Sequence, residues 1–167
     1  MNASEASPKT AKLLSQSTLI IAAVGLFLAI YFMFTDVEFA IYLATFALVG
    51  LIGIVSFLRH SVFYRSDQAR MGWHQEQPGF QIEVGFANLA VGIAAIVAVA
   101  LDLGLLACSM CLLMFGLYLA CACGLHAYEF VKSKEEKRRP GKVVNTAFIA
   151  VILLAFAVLA MSEAGAI

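Results

Sequence analysis

The side chains with the potential for chemistry lie in two apolar segments of this chain. Glu83 and Asn88 fall near the start of the third long apolar run, and His126 falls near the end of the fourth. A carboxylate or an amide in apolar surroundings needs a hydrogen-bonding or charged partner. We therefore expect five side chains to converge at one depth: Gln81, Glu83, Asn88, His126 and Glu129. Such a site would bind a cation or exchange a proton at Glu83, with Gln81 and Asn88 fixing the geometry and His126 tuning the charge.

A structural interpretation of the same residues stays open. A carboxylate in the first turn of a helix, as at Glu83, complements the helix dipole and the free amides. Asn88 has the side chain to hydrogen-bond a neighbouring helix, and for this residue the structural interpretation is favoured. His126 with Glu129 is too small a set of ligands for a metal, so the sequence implies neither a metal nor a cofactor.

Cys108 and Cys111 have the C-x-x-C spacing used by quinone-linked membrane thiol oxidases. Those enzymes relay electrons through a second cysteine pair near the same surface, whereas Cys121 and Cys123 follow in the other half of the same run. Cysteine is also an ordinary small apolar residue in membrane helices. Helix packing is the favoured interpretation, and a redox pair at Cys108 and Cys111 is the alternative.

Five long apolar runs must position all of these residues. The composition is 62% hydrophobic and 13% charged, with a mean hydropathy of +0.91, which excludes a soluble globular domain. Each run is close to the roughly 20 residues that a helix needs to cross a bilayer. The sequence predicts an all-α membrane bundle of five transmembrane helices at 18–35, 38–58, 81–101, 104–130 and 143–161.

The basic residues all lie on one side of the membrane in the predicted topology. Every Lys and Arg lies in the N-terminal tail at 1–17, the loop at 59–80 or the loop at 132–142. The positive-inside rule therefore predicts a cytoplasmic N-terminus, an outer C-terminal tail at 162–167 and a single transmembrane domain at 18–161. The loop at 59–80 suits a short interfacial helix with Trp73 as its anchor, and the loop at 132–142 suits contact with anionic lipid.

Small residues mark the packing faces of the third and fourth helices. At about 100° per residue, Gly85 and Gly92 share a face with Gln81 and Asn88, while Ala87 and Ala94 lie nearly opposite. Two small-residue faces predict two close neighbours and a central position for the third helix. A stripe on the fourth helix that includes Gly116 and Cys123 is expected to pack on the third.

The segment around the third helix resembles an uncharacterised family of small bacterial integral membrane proteins, a domain of unknown function. The residues that carry the resemblance are Gly72-Trp73, Pro78, Phe80-Gln81, Glu83-Val84-Gly85, Ala87-Asn88-Leu89, Gly92, His126 and Pro140-Gly141. The family pattern includes an acidic residue and a proline in the last helix, and residues 143–161 contain neither. The resemblance implies a bacterial inner-membrane, multi-pass protein and supplies no reaction.

The leading functional hypothesis is the handling of a small solute, a lipid or a proton, including possible transport, through the intramembrane polar cluster. The alternative is a non-catalytic accessory or assembly subunit of a larger membrane complex, in which the polar residues only hold helices together. A thiol oxidoreductase ranks third, and enzyme activity is not favoured. The expected partners are anionic membrane lipids, a homo-oligomer or a larger complex, and no nucleic-acid-binding module fits.

Overall fold

The computed structural model describes residues 7–72, 76–132 and 140–167, without the side chains of residues 140 and 142. Over these ranges the chain forms six helices and no strand: α1 Lys9–Phe32, α2 Val37–Val62, α3 Tyr64–Met71, α4 Gly79–Ala100, α5 Leu105–Lys132 and α6 Pro140–Glu163. All except α3 contain a segment long and apolar enough to cross a membrane. The predicted all-α fold with five membrane-spanning helices is confirmed, whereas Trp73 lies outside the described residues.

Helix α1 begins at Lys9, directly after Pro8, and not at residue 18 as the sequence predicts. Its first turns pack against α3, where Ala11 is fully buried and its amide donates to Ser66 Oγ at 3.0 Å. The same hydroxyl donates to the Ser7 carbonyl oxygen at 2.7 Å. The polar start of α1 is therefore ordered by a contact that is distant in sequence.

Helix α2 is the central helix of the bundle. In the most apolar 18-residue stretch of α2, 56% is buried inside the bundle, whereas the buried share is 17–33% in the other four spans. The residues of α2 with no exposed surface include Ile41, Ala44, Leu48 and Val49. The prediction that the third span, α4, is central is wrong, because Ala87 and Ala94 on its second small-residue face are exposed.

Glycines bring the backbones of α2 and α4 into contact. A Cβ added at Gly53 would lie 2.7 Å from the Asn88 carbonyl oxygen and 2.8 Å from the Gly92 Cα. One added at Gly85 would overlap the Ser61 hydroxyl. Close approach of this kind is how membrane helices associate without a hydrophobic driving force. Gly85 and Gly92, which the sequence assigns to helix packing, both lie at this crossing.

Gly116 and Cys123 of α5 face α6 and not α4. A Cβ at Gly116 would lie 3.0 Å from Leu154 Cδ2, and Cys123 Sγ donates to the Val143 carbonyl oxygen at 3.6 Å. The expected packing of this stripe on the third span is therefore wrong. The two helices are consecutive in the chain and pack side by side, which is the usual arrangement for neighbours joined by a short connection.

We expect Gly53→Ala to destabilise the bundle, because its new methyl group meets backbone atoms that cannot rotate away. Overpacking of this kind costs about 1–3 kcal/mol. The matched control is Gly124→Ala in α5, where an added Cβ meets nothing within 4 Å. The control should be neutral or stabilising by up to about 1 kcal/mol, since alanine is the better helix former. Thermal unfolding in detergent measures both, and a wild-type melting temperature for Gly53→Ala would contradict the close crossing.

Candidate functional site

The structure separates the five polar residues that the sequence grouped together. Gln81 and Asn88 are buried on the α2 side of α4, whereas Glu83 is exposed on another face. His126 and Glu129 form a local pair on α5, with 3.6 Å between Nδ1 and Oε2. The Asn88 amide donates to the Val84 carbonyl oxygen of its own helix at 2.7 Å. Gln81, one of the five, joins a larger polar network.

That network surrounds Asp67, an α3 residue that is 1% exposed. Arg70, one turn later, donates to Asp67 Oδ1 through Nε at 3.1 Å and Nη2 at 2.9 Å. His60 Nδ1 lies 3.0 Å from Asp67 Oδ2, and Arg59 Nε lies 3.8 Å from Oδ1. We call the following six residues the Asp67 cluster: Arg59, His60, Asp67, Gln68, Arg70 and Gln81.

The cluster draws its members from three helices. Arg59 and His60 belong to a wider π-helical turn at Leu58–Val62 that ends α2. Such turns change the direction in which side chains leave a helix and recur at functional sites. Gln81, in the first turns of α4, donates to Asp67 Oδ2 at 3.4 Å and accepts from Gln68 Nε2 at 3.0 Å. The hydrogen bonds and ion pairs of the cluster thus hold α3 against the last turn of α2 and the first turns of α4.

The protonation state of His60 follows from its two neighbours. His60 Nε2 lies 2.8 Å from Arg59 Nη2, and a guanidinium group only donates, so Nε2 must accept. The ring proton is then on Nδ1, from which it is donated to Asp67. His60 is therefore neutral in this arrangement. Two guanidinium groups face one carboxylate, which leaves one positive charge without a counterion in the cluster.

Asp67 is held in its ionised form. Burial by itself would raise the pKa of Asp67, but the hydrogen bonds from His60 and Arg70 and the charge of Arg59 outweigh it. The net effect places the pKa of Asp67 below its ordinary value of 3.8. The carboxylate is therefore a fixed negative charge at neutral pH.

Two polar atoms of the cluster keep unused hydrogen-bonding capacity. In the part of the chain that the structure describes, Arg59 Nε and Gln68 Oε1 are buried without a hydrogen-bond partner. Gln68 is 1% exposed, and the Arg59 side chain is 19% exposed. Buried polar atoms are usually paired, so an unpaired donor beside an excess positive charge is a position where an anion would be stabilised.

Sequence reasoning missed Asp67 and Gln68. Both stand in the segment at 59–80, which contains Arg59, Arg65 and Arg70 and which the sequence predicts to form a short helix in the membrane interface. A usable signal was the position of Asp67 three residues before Arg70, a spacing at which oppositely charged side chains of one helix pair.

Cys108 and Cys111 are free thiols buried between the helices, with exposed fractions of 0% and 7%. Cys108 lies beside Thr45 of α2. Cys121 is exposed and Cys123 bonds to α6. This burial is what helix packing requires, and the redox role stays a prediction. Among the described residues, no three His, Cys, Asp or Glu side chains are grouped closely enough to hold a metal ion.

Comparison with known proteins supports the resemblance drawn from the motif. Residues 10–166 match a family described as a family of unknown function, DUF6790. The match covers the five spans and the whole Asp67 cluster. No curated protein and no solved structure matches the chain.

We expect Asp67→Asn to lower the free energy of unfolding at neutral pH by about 3 kcal/mol, because it leaves two guanidinium groups near an uncharged side chain. Since the folded pKa of Asp67 is below 3.8, its stabilisation is full above that pH and is lost as the pH falls through the folded value. The difference in melting temperature between wild type and Asp67→Asn should therefore shrink on acidification.

The control for Asp67→Asn is Glu83→Gln, which removes an exposed carboxylate from α4. This control should melt like the wild type at neutral pH. Circular dichroism melts in detergent at about pH 7 and about pH 3 measure both variants. Equal stability of Asp67→Asn and wild type at neutral pH would show that the carboxylate is not paired as described.

Proposed function

This chain belongs to the DUF6790 family of unknown function, and we propose that it binds the phosphate of an anionic phospholipid at the Asp67 cluster. The five apolar helices fit a multi-pass membrane protein. The cluster lies at the end of α2, and the ends of membrane spans are where a protein would meet lipid headgroups. The carrying observation is that two guanidinium groups, Arg59 and Arg70, converge on one buried carboxylate.

The excess positive charge of the Asp67 cluster favours binding of a phosphate over binding of a cation. Guanidinium groups bind phosphate oxygens through paired, charge-assisted hydrogen bonds, whereas a second cation would add to an existing excess of positive charge. Further basic residues near this end attract anionic headgroups, namely Lys9 and Lys12 on α1, both exposed. The first turns of α1 pack on α3, so these charges lie at the same end of the bundle as the cluster.

The proton and cation hypothesis centred on Glu83 has less support from the geometry. Glu83 is exposed on α4, and Gln81 is engaged with Gln68 and Asp67. The cluster that does form has its titratable histidine held neutral between a donor and an acceptor. The leading hypothesis from the sequence was the handling of a small solute, a lipid or a proton. Of these three, we retain the lipid.

We expect Arg59→Gln to weaken binding of phosphatidylglycerol by about tenfold, since a hydrogen bond to a charged group contributes about 1.5–3 kcal/mol and 1.4 kcal/mol is tenfold. Asp67 keeps both hydrogen bonds from Arg70, so this variant should still fold. Native mass spectrometry of the protein with added phosphatidylglycerol or phosphatidylcholine measures the affinity. Phosphatidylcholine should bind more weakly to the wild type.

Arg65→Gln is the matched control, because it removes the same charge from α3 at an exposed position where Arg65 bonds and stacks on Tyr64. A surface charge contributes little, so the control should keep its affinity to within about twofold. Equal losses in the two variants would mean that the lipid responds only to overall charge. Glycerol phosphate, added as a soluble competitor, separates a free phosphate ligand from a lipid one, since displacement at low concentration would identify the soluble compound.

A second candidate function is that of an accessory subunit in a larger membrane complex. It is favoured by the outward face of α4, on which Glu83 is exposed together with Ala90 and Ala94. A carboxylate on the outer face of a membrane span is costly without a partner, and small residues permit a close helix contact. A helix from another protein with a basic or hydrogen-bonding side chain at that depth would satisfy Glu83.

Under the accessory hypothesis, Glu83→Gln should release a stoichiometric partner that the wild type retains when extracted from its own membrane in mild detergent. The control Glu163→Gln changes an exposed carboxylate at the end of α6 and should retain it. Native mass spectrometry reads the subunit composition directly. A wild-type protein that carries only lipid, and no second chain, would reject this candidate and leave the lipid-binding proposal in place.

A further inference from the structure

A groove opens between α4 and α5. In the described part of the chain it is lined by six side chains: Ala87, Asn88, Val91, Met114, Phe115 and Tyr118. The surface that these side chains expose in the groove is wholly apolar, because the Asn88 amide turns back to the Val84 carbonyl oxygen. Phe115 is 2% exposed, whereas Ala87, Met114 and Tyr118 are exposed, so the groove is open towards the outside of the bundle.

One side chain that lines the groove interacts electrostatically with Arg59, which carries the excess positive charge of the cluster. This side chain is Tyr118, which lies within electrostatic range of the Arg59 guanidinium group. The Tyr118 ring also stacks on Phe115, with 6.1 Å between ring centroids, which fixes its position on α5. Helix α4 runs away from the end of the bundle that carries the Asp67 cluster and α5 runs back towards it, so Val91 and Met114 lie along the spans and not at that end.

We propose that this groove holds one acyl chain of the anionic phospholipid whose phosphate binds at Arg59. The inference rests on the proposed function and adds the site of the chain. An apolar groove at this depth is surrounded by hydrocarbon, so an acyl chain is the occupant that requires no desolvation of polar groups. The charge complementarity between Arg59 and a phosphate then selects a phospholipid over a neutral hydrocarbon.

The shape of the lining agrees with a flexible occupant. Ala87 leaves room on the α4 side, and Met114 on the α5 side has the unbranched side chain that adapts to irregular contacts. A headgroup at Arg59 and a chain between Ala87 and Met114 place one lipid along the axis of the bundle, in the orientation that a lipid has in a leaflet. A single bound lipid thus accounts for both the excess positive charge at Arg59 and the apolar groove.

The test compares Ala87→Phe with Ala90→Phe. Both add the same ring to an exposed position of α4, and only Ala87 lines the groove. Ala87→Phe should weaken binding of dioleoyl phosphatidylglycerol by about tenfold, because the ring takes the volume of the chain, while Ala90→Phe stays within about twofold of wild type. A phosphatidylglycerol with a diazirine on one chain should cross-link to residues 87–91 and 114–118.

The outcomes separate this inference from the proposed function. If Arg59→Gln weakens lipid binding while the two ring variants bind equally, or if cross-links fall on the exposed residues of α1, the chain site is wrong and the headgroup site stands. If Ala87→Phe weakens binding and Arg59→Gln does not, a single lipid joining both features is ruled out. Melting temperatures of both ring variants confirm that the bundle is folded, and cross-linking of the wild type tests the site without any substitution.

Discussion

The burial of the Asp67 carboxylate is the constraint on which the basic end of this bundle depends. An ionised carboxylate with 1% exposure requires charged and hydrogen-bonding partners on every open side. Arg70 can supply them from the same short helix, but His60 and Gln81 must come from α2 and α4. Helix α3 therefore folds back on the bundle, and Ser66 ties the start of α1 to it. One buried charge thus connects four helices.

The close crossing of α2 and α4 makes this arrangement possible. Gly53 and Gly92 allow the two backbones to touch, and Ser61 donates to the Ile82 carbonyl oxygen at 2.9 Å near the end of the crossing. This contact fixes the rotation of α4, so Gln81 faces Asp67 while Glu83 faces outwards. The packing of α2 on α4 therefore determines the geometry of the Asp67 cluster. A larger residue at the crossing would move α4 and displace Gln81 with it.

The parts of the fold that follow from local sequence could be predicted, and those that depend on distant contacts could not. Span length and apolar composition are local, so five membrane-spanning helices were predictable. The period of a helix shows which residues share a face, but it does not show which face a neighbour covers. For this reason Gly116 was assigned to the wrong neighbour. Asp67 was overlooked because its burial depends on α1, α2 and α4 together, whereas its own segment has the composition of a short interfacial helix.

Arg59 donates to His60 Nε2, but the positive charge of this second guanidinium group is not explained by that hydrogen bond. Arg70 already gives Asp67 Oδ1 two hydrogen bonds, and His60 and Gln81 occupy Oδ2. Arg59 lies 3.8 Å from a carboxylate oxygen that is satisfied without it, and its own Nε is buried without an acceptor among the described residues. Burying an extra charge in this way lowers stability unless an anion completes the site. A phosphate group at the membrane surface has the charge and the acceptors to do so, which is why a ligand site explains Arg59 better than a lock between helices does.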